Sequence, residues 1–142
     1  MPAYLTRRVS FAAAHRYRIE RWSDQRNQQV FGLCARPSYH GHSYVCDVTV
    51  RGEIDDETGM LVDLAVLDRV LDSEVKQRFD HRNINVDVPE FGEGKLVPTG
   101  ENLSRFIHQR LTAALRDLGV AACVVKVTVA EDATLSATYS EE

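Results

Sequence analysis

The sequence predicts an α+β domain of order ββααββ: a four-stranded antiparallel sheet with two helices on one face. Three observations carry this. Four segments alternate apolar and polar residues with the period of a half-buried strand. Two segments between them repeat apolar residues at helical spacing behind side chains able to cap a helix. The 142 residues, 44% hydrophobic and 27% charged, suffice for one domain, 1–142, with a real core and no stapling disulfide or metal.

The first strand spans 4 to 15, with Arg7, Val9, Phe11, Ala13 and His15 on one face. The second spans 40 to 51 and places His40, His42, Tyr44, Cys46, Val48 and Val50 on one side, because side chains two apart on a strand point the same way. A turn-like stretch, 52–59, leads to Asp63, a good N-cap. Leu64, Leu67, Val70, Leu71, Val75 and Phe79 then mark a helix over 64 to 79. Thr99 caps the second helix, and Glu101 sits in its first turn, where the helix dipole favours an anion. Its apolar stripe is Leu103, Phe106, Ile107, Leu111, Ala114 and Leu118, and Gly119 stops it. A third strand, 123 to 130, turns Val125, Val127, Val129 and then Glu131 to one side, and a fourth runs near 135 to 139. Two connections, 18–39 and 80–98, exceed what a connector needs, and long structureless stretches are usually functional or mobile.

Composition excludes several classes. Seventeen basic residues against 21 acidic ones give a net charge of −4, and the longest basic run is Arg7-Arg8, so no nucleic-acid partner is expected. No segment approaches the ~18 apolar residues of a membrane span, and no signal-peptide core is visible. Three cysteines, an odd number, suit reduced thiols, and a cytoplasmic location is expected.

The chemistry gathers at few positions. His15, His40 and His42 converge on one inferred sheet face, the donor set of a zinc site that keeps a position open for water or substrate. Cys34 is a fourth ligand, a catalytic thiolate or an inert loop thiol; a thiolate needs a lowered pKa, for which a metal or a histidine is the usual cause. His81, beside Asp80, is the candidate partner, although the two residues equally suit a helix stop. Glu131 shares its side with three valines, so it meets either a cation of the protein or the donors of a ligand. Cys46 and Cys123 read as small buried hydrophobes. His108 falls on the polar side of the second helix and receives no role.

The motifs Phe11-Ala-Ala-Ala-His15, Cys34-x5-His40-Gly-His42-Ser-Tyr44, Gly59-Met-Leu-Val-Asp63, Asp80-His81-Arg-Asn83, Pro98-Thr-Gly-Glu-Asn102 and the strand ending in Glu131 run in order along nearly the whole chain. Together they resemble the 6-pyruvoyl-tetrahydropterin synthase and 6-carboxy-tetrahydropterin synthase family. The resemblance implies a tunnelling fold, whose subunits join sheets into a trimeric barrel and stack two trimers as a homohexamer. It implies zinc (Zn2+) on His15, His40 and His42, and 7,8-dihydroneopterin triphosphate as substrate, converted to 6-pyruvoyl-tetrahydropterin with elimination of triphosphate. It further implies that Glu131 grips the pterin, with Thr99 and Glu101 also substrate-binding. Cys34 would move protons, assisted by Asp80 and His81 of another subunit. The Cys-x5-His-Gly-His spacing resembles the pyruvoyl-forming branch. Ser43, where Asn is frequent, is shared with many carboxy-forming enzymes of the queuosine pathway, the alternative activity. A zinc- and pterin-binding oligomer without turnover is a third reading. Gly100 departs from the family's frequent Thr or Ser.

Overall fold

The structure, a computed structural model, describes residues 1–142. Strand β1 (Pro2–His15) lies antiparallel to β2 (His40–Glu53) along its full length, from Pro2 opposite Glu53 to His15 opposite His40. β4 (Cys123–Asp132) and β5 (Leu135–Ser140) extend the sheet on the far side of β2. β3, only Arg82–Asn83, runs parallel to the end of β1, so the sheet has five strands in the order β3-β1-β2-β4-β5. This corrects the expected four-stranded antiparallel sheet. His81, at φ 59°, turns the chain after the helix end and donates its backbone N–H to the Ala12 carbonyl at 2.6 Å. Two residues are too few to show any periodicity, which is why no pattern announced them.

Helix α2 (Leu64–Leu71) begins at Asp63, whose carboxylate accepts the Ala65 N–H. It continues through a π-helical turn, Asp72–Lys76, into α3 (Gln77–Phe79). Val70, Leu71, Val75 and Phe79 are all buried along it. After α4 (Ile84–Asp87), helix α5 (Gly100–Asp117) starts at Thr99, whose hydroxyl accepts the Asn102 N–H at 3.1 Å. Both long helices lie on one face of the sheet, and Phe11 stacks between Tyr44 and Phe79 with ring centroids at 4.9 and 5.2 Å.

Four finer expectations change. A bulge between Thr49 and Val50 shifts the β2–β4 pairing, so Val124 joins Val127 and Val129 in the core cluster, while Val125, also buried, lies outside it. Leu115, not Leu118, closes the α5 stripe, and Leu118 is exposed past the last turn. Cys123 is exposed, whereas Cys46 is buried as expected. His108 is buried against Tyr139 of β5, because the edge strand covers the α5 face that had read as polar.

The connection 18–39 is ordered by local hydrogen bonds. It holds α1 (Asp24–Phe31), capped by the Ser23 hydroxyl, and a 3-10 turn, Gly32–Ala35. Asn27, 1% exposed, accepts the Ile19 N–H at 2.8 Å and donates to the carbonyls of Ile19 and Ser23 at 3.0 and 3.1 Å. One amide thus closes the arm that carries Cys34. Asn27→Ala leaves those backbone groups without partners and should cost about 1 to 3 kcal/mol. Hydrogen exchange should rise across residues 18–35 while β1 and β2 stay protected; unchanged exchange in the arm contradicts this role.

Candidate active site

The β1–β2 register sets His15 opposite His40, and His42 opposite Ala13, two residues back along β1. All three imidazoles therefore leave the sheet on one face. Their ring centroids lie 4.7 to 5.1 Å apart with the rings edge-on to one another, and one nitrogen from each falls within 4.8 Å of the others. This group could hold a metal ion.

Two features of the surroundings fit that use. His15, fully buried, places Nδ1 2.8 Å from the Pro98 carbonyl, an obligate acceptor, so Nδ1 carries the proton and Nε2 presents its lone pair. His42 Nε2 is buried with no hydrogen-bond partner, a state that costs free energy unless a ligand takes the nitrogen. Burial, then the neighbouring His40, lowers the His15 pKa to about 4, and burial also lowers that of His40. Both are thus kept as neutral donors. Tyr44, on the same face of β2, sets its hydroxyl 3.0 Å from His15 Nδ1.

Glu131, 7% exposed at the end of β4, completes the buried group. Its Oε1 accepts the Tyr17 hydroxyl at 3.0 Å. Its oxygens lie 3.9 Å from His15 Nε2 and 3.8 Å from His42 Nε2, too far for hydrogen bonds but close enough for a strong charge interaction with a cation among the histidines. Burial, then the Glu131 charge, pushes the Tyr17 pKa upward, so this phenol stays a donor. Tyr17, Gly100, Glu101, Val129, Glu131 and residues 135–137 line a small pocket. A Cβ at Gly100 would sit 3.1 Å from that of Ala137, so α5 approaches β5 closely here and a larger residue would push the Ala137 side chain by a few tenths of an ångström. Thr99 spends its hydroxyl on the helix cap, and Glu101 is exposed at the pocket rim.

Cys34 is half-buried on the 3-10 turn, and its carbonyl accepts the Tyr17 N–H at 2.7 Å. Burial, then the Glu131 charge, pushes its thiol pKa up rather than down. Within one chain no partner activates it. Asp80 instead accepts the Ala12 N–H at 2.9 Å and lies 3.0 Å from His81 Nδ1, and these contacts, the Ala12 bond foremost, hold its carboxyl below the usual range. The His81 side chain is 85% exposed. The pair stands beside an open depression with His42, Ser43 and Asn83 along its wall, and neither residue touches Cys34. The structure thus joins the three histidines and Glu131 and leaves Asp80 and His81 apart. Sequence reasoning missed Tyr17 and the Pro98 carbonyl. Tyr44 carried a signal, its spacing of two from His42, whereas Tyr17 lies beyond the strand and carried none.

The family model described as 6-pyruvoyl tetrahydropterin synthase matches residues 4–142. The 6-pyruvoyl tetrahydrobiopterin synthase of Homo sapiens is 42% identical over 113 residues, 80% of this chain and 77% of that protein. The 6-carboxy-5,6,7,8-tetrahydropterin synthase of Bacillus subtilis is 32% identical over 110 residues, 76% of this chain and 70% of that one. The structure of the Caenorhabditis elegans 6-pyruvoyl tetrahydropterin synthase superposes over 100% of this chain and 97% of its own, with a TM-score of 0.90 at 34% identity. With its motifs, fold and histidine cluster in agreement, the chain belongs to the 6-pyruvoyl tetrahydropterin synthase family.

Proposed function

We propose that this protein converts 7,8-dihydroneopterin triphosphate to 6-pyruvoyl-tetrahydropterin, with zinc on His15, His40 and His42. The observation that carries this is one sheet end bearing three imidazoles, a buried carboxylate and a thiol-bearing arm. Names of relatives supply the product, and the resemblance of the motifs to the family supplies the substrate. Bound zinc would act as a Lewis acid toward the side-chain oxygens, making carbon-bound protons beside them more acidic.

The chain's own groups do the rest. Glu131 accepts two N–H bonds from the pterin edge, which fixes orientation and adds charge-assisted affinity. Thr99 and Glu101 bound the same pocket from the start of α5. Cys34 Sγ takes a proton from a side-chain carbon and returns it elsewhere on the substrate. Hydrogens lost by the side chain are gained by the ring, so the rearrangement needs no external reductant, and triphosphate leaves with its bonding electron pair. Asp80 and His81 of a neighbouring copy assist Cys34; the exposed His81 ring and the separation of the pair from the thiol within one chain support this, as does a thiol pKa left high without them. The reading therefore includes a homohexamer of two trimers. The free thiols of Cys34, Cys46 and Cys123 suit a reducing cytoplasm. No helix is long and apolar enough to cross a membrane.

Incubating the zinc-loaded protein with 7,8-dihydroneopterin triphosphate should give a product with the mass of 6-pyruvoyl-tetrahydropterin, and removing zinc by chelation should abolish it. The mass of 6-carboxy-tetrahydropterin would assign the other activity instead, and no product would leave a binding protein. Cys34→Ala should keep zinc and neopterin binding while cutting turnover roughly 10²-fold or more. Glu131→Gln should weaken neopterin binding by about 1.5 to 3 kcal/mol. Loss of zinc in Cys34→Ala would make the thiol a ligand and refute its proton-transfer role. In sedimentation, activity should follow a hexamer; a stable, active monomer contradicts the shared site.

A further inference from the structure

Glu131 has one direct hydrogen-bond donor in the chain, the Tyr17 hydroxyl at 3.0 Å, since both facing imidazole nitrogens stay at 3.8 Å or beyond. A carboxylate on a glutamate turns freely about its last torsion, which has broad, roughly two-fold wells. Two parallel bonds to a planar ligand edge require that plane to be set in advance. Tyr17 is itself fixed at both ends. Its backbone N–H holds the Cys34 carbonyl at 2.7 Å, and its ring packs edge-on against His15 and Phe31, with centroids at 5.2 and 5.7 Å.

We propose that Tyr17 is a positioning residue for pterin recognition: its hydroxyl holds Glu131 Oε1 and so orients the carboxylate for the ring edge of a pterin. The inference rests on the pterin reading of the site given above. The bond engages one lone pair of Oε1, leaving the other and both of Oε2 for ligand N–H groups. Because the link from Tyr17 to Cys34 is made by the backbone, the hydroxyl serves binding and the residue's main chain serves the thiol. Removing the oxygen alone separates the two.

The test compares wild type, Tyr17→Phe, Glu131→Gln and the double variant, with neopterin as an unreactive probe followed by calorimetry. Tyr17→Phe keeps the ring and the backbone bond, so zinc content and melting temperature should stay near wild type. Its Kd for neopterin should rise about tenfold or more, the scale of a lost hydrogen bond to a charged group. In turnover of 7,8-dihydroneopterin triphosphate, KM should rise with it while kcat falls less. In the Glu131→Gln background, Tyr17→Phe should add almost nothing, because the two side chains act as one unit. A neopterin Kd unchanged by Tyr17→Phe, or losses that simply add in the double variant, would overturn the inference and leave the functional reading standing. Failure of the wild type to bind neopterin would refute that reading first, and this inference with it.

Discussion

Everything at the site follows from the register of β1 on β2. Phe11 and Ala13 on one strand, and Tyr44, Cys46 and Val48 on the other, are buried on the same face as the three histidines. A slip of one residue would expose that whole apolar set, so burial of the core fixes the pairing. The energy that holds His15 opposite His40 is therefore hydrophobic, spread along fourteen-residue strands, and not supplied by the imidazoles. This allows the cluster itself to be poorly satisfied. His42 can keep an orphan nitrogen and Glu131 can sit almost buried beside the imidazoles, because the strands would pair without them.

The same logic explains what could be read from the sequence. A period of two is a robust signal where one face is buried, and it showed the histidine face and the odd placement of Glu131 among valines. Caps were equally legible, since Asp63 and Thr99 make the bonds their residue types suggest. What escaped had no period. The two residues of β3 are recruited by the backbone turn at His81, and the bulge between Thr49 and Val50 breaks the alternation on which the reading relied. The π turn after α2 is as invisible, because its apolar spacing also fits an ordinary helix.

The arm and Tyr17 illustrate a different limit. The arm between β1 and β2 has no apolar stripe to announce it; Asn27, Ser23 and backbone carbonyls shape it through bonds between groups only a few residues apart. Such bonds compete with regular structure and leave little compositional trace. Cys34 was legible as a residue type near a metal motif, but its environment was not. Sequence reasoning looked for a cause that lowers its pKa, whereas within one chain burial and Glu131 raise it.

These electrostatics bear on how the site divides its work. The elements anchored in the sheet collect three imidazoles and one carboxylate at a low-dielectric end of the fold. A cation placed among the three nitrogens would balance the Glu131 carboxylate, whose oxygens lie 3.8 and 3.9 Å from two of them. The neighbour's Asp80 and His81, in the proposed assembly, would bring an imidazole to the thiol with a carboxylate behind it. The dyad's anchor is consistent with that use: the Asp80 carboxylate accepts the Ala12 N–H of β1 while the His81 ring beside it stays exposed. Under the proposed assembly, a site built this way would stay chemically quiet in an isolated chain, because the residues that would activate the thiol are those that the chain cannot bring to itself.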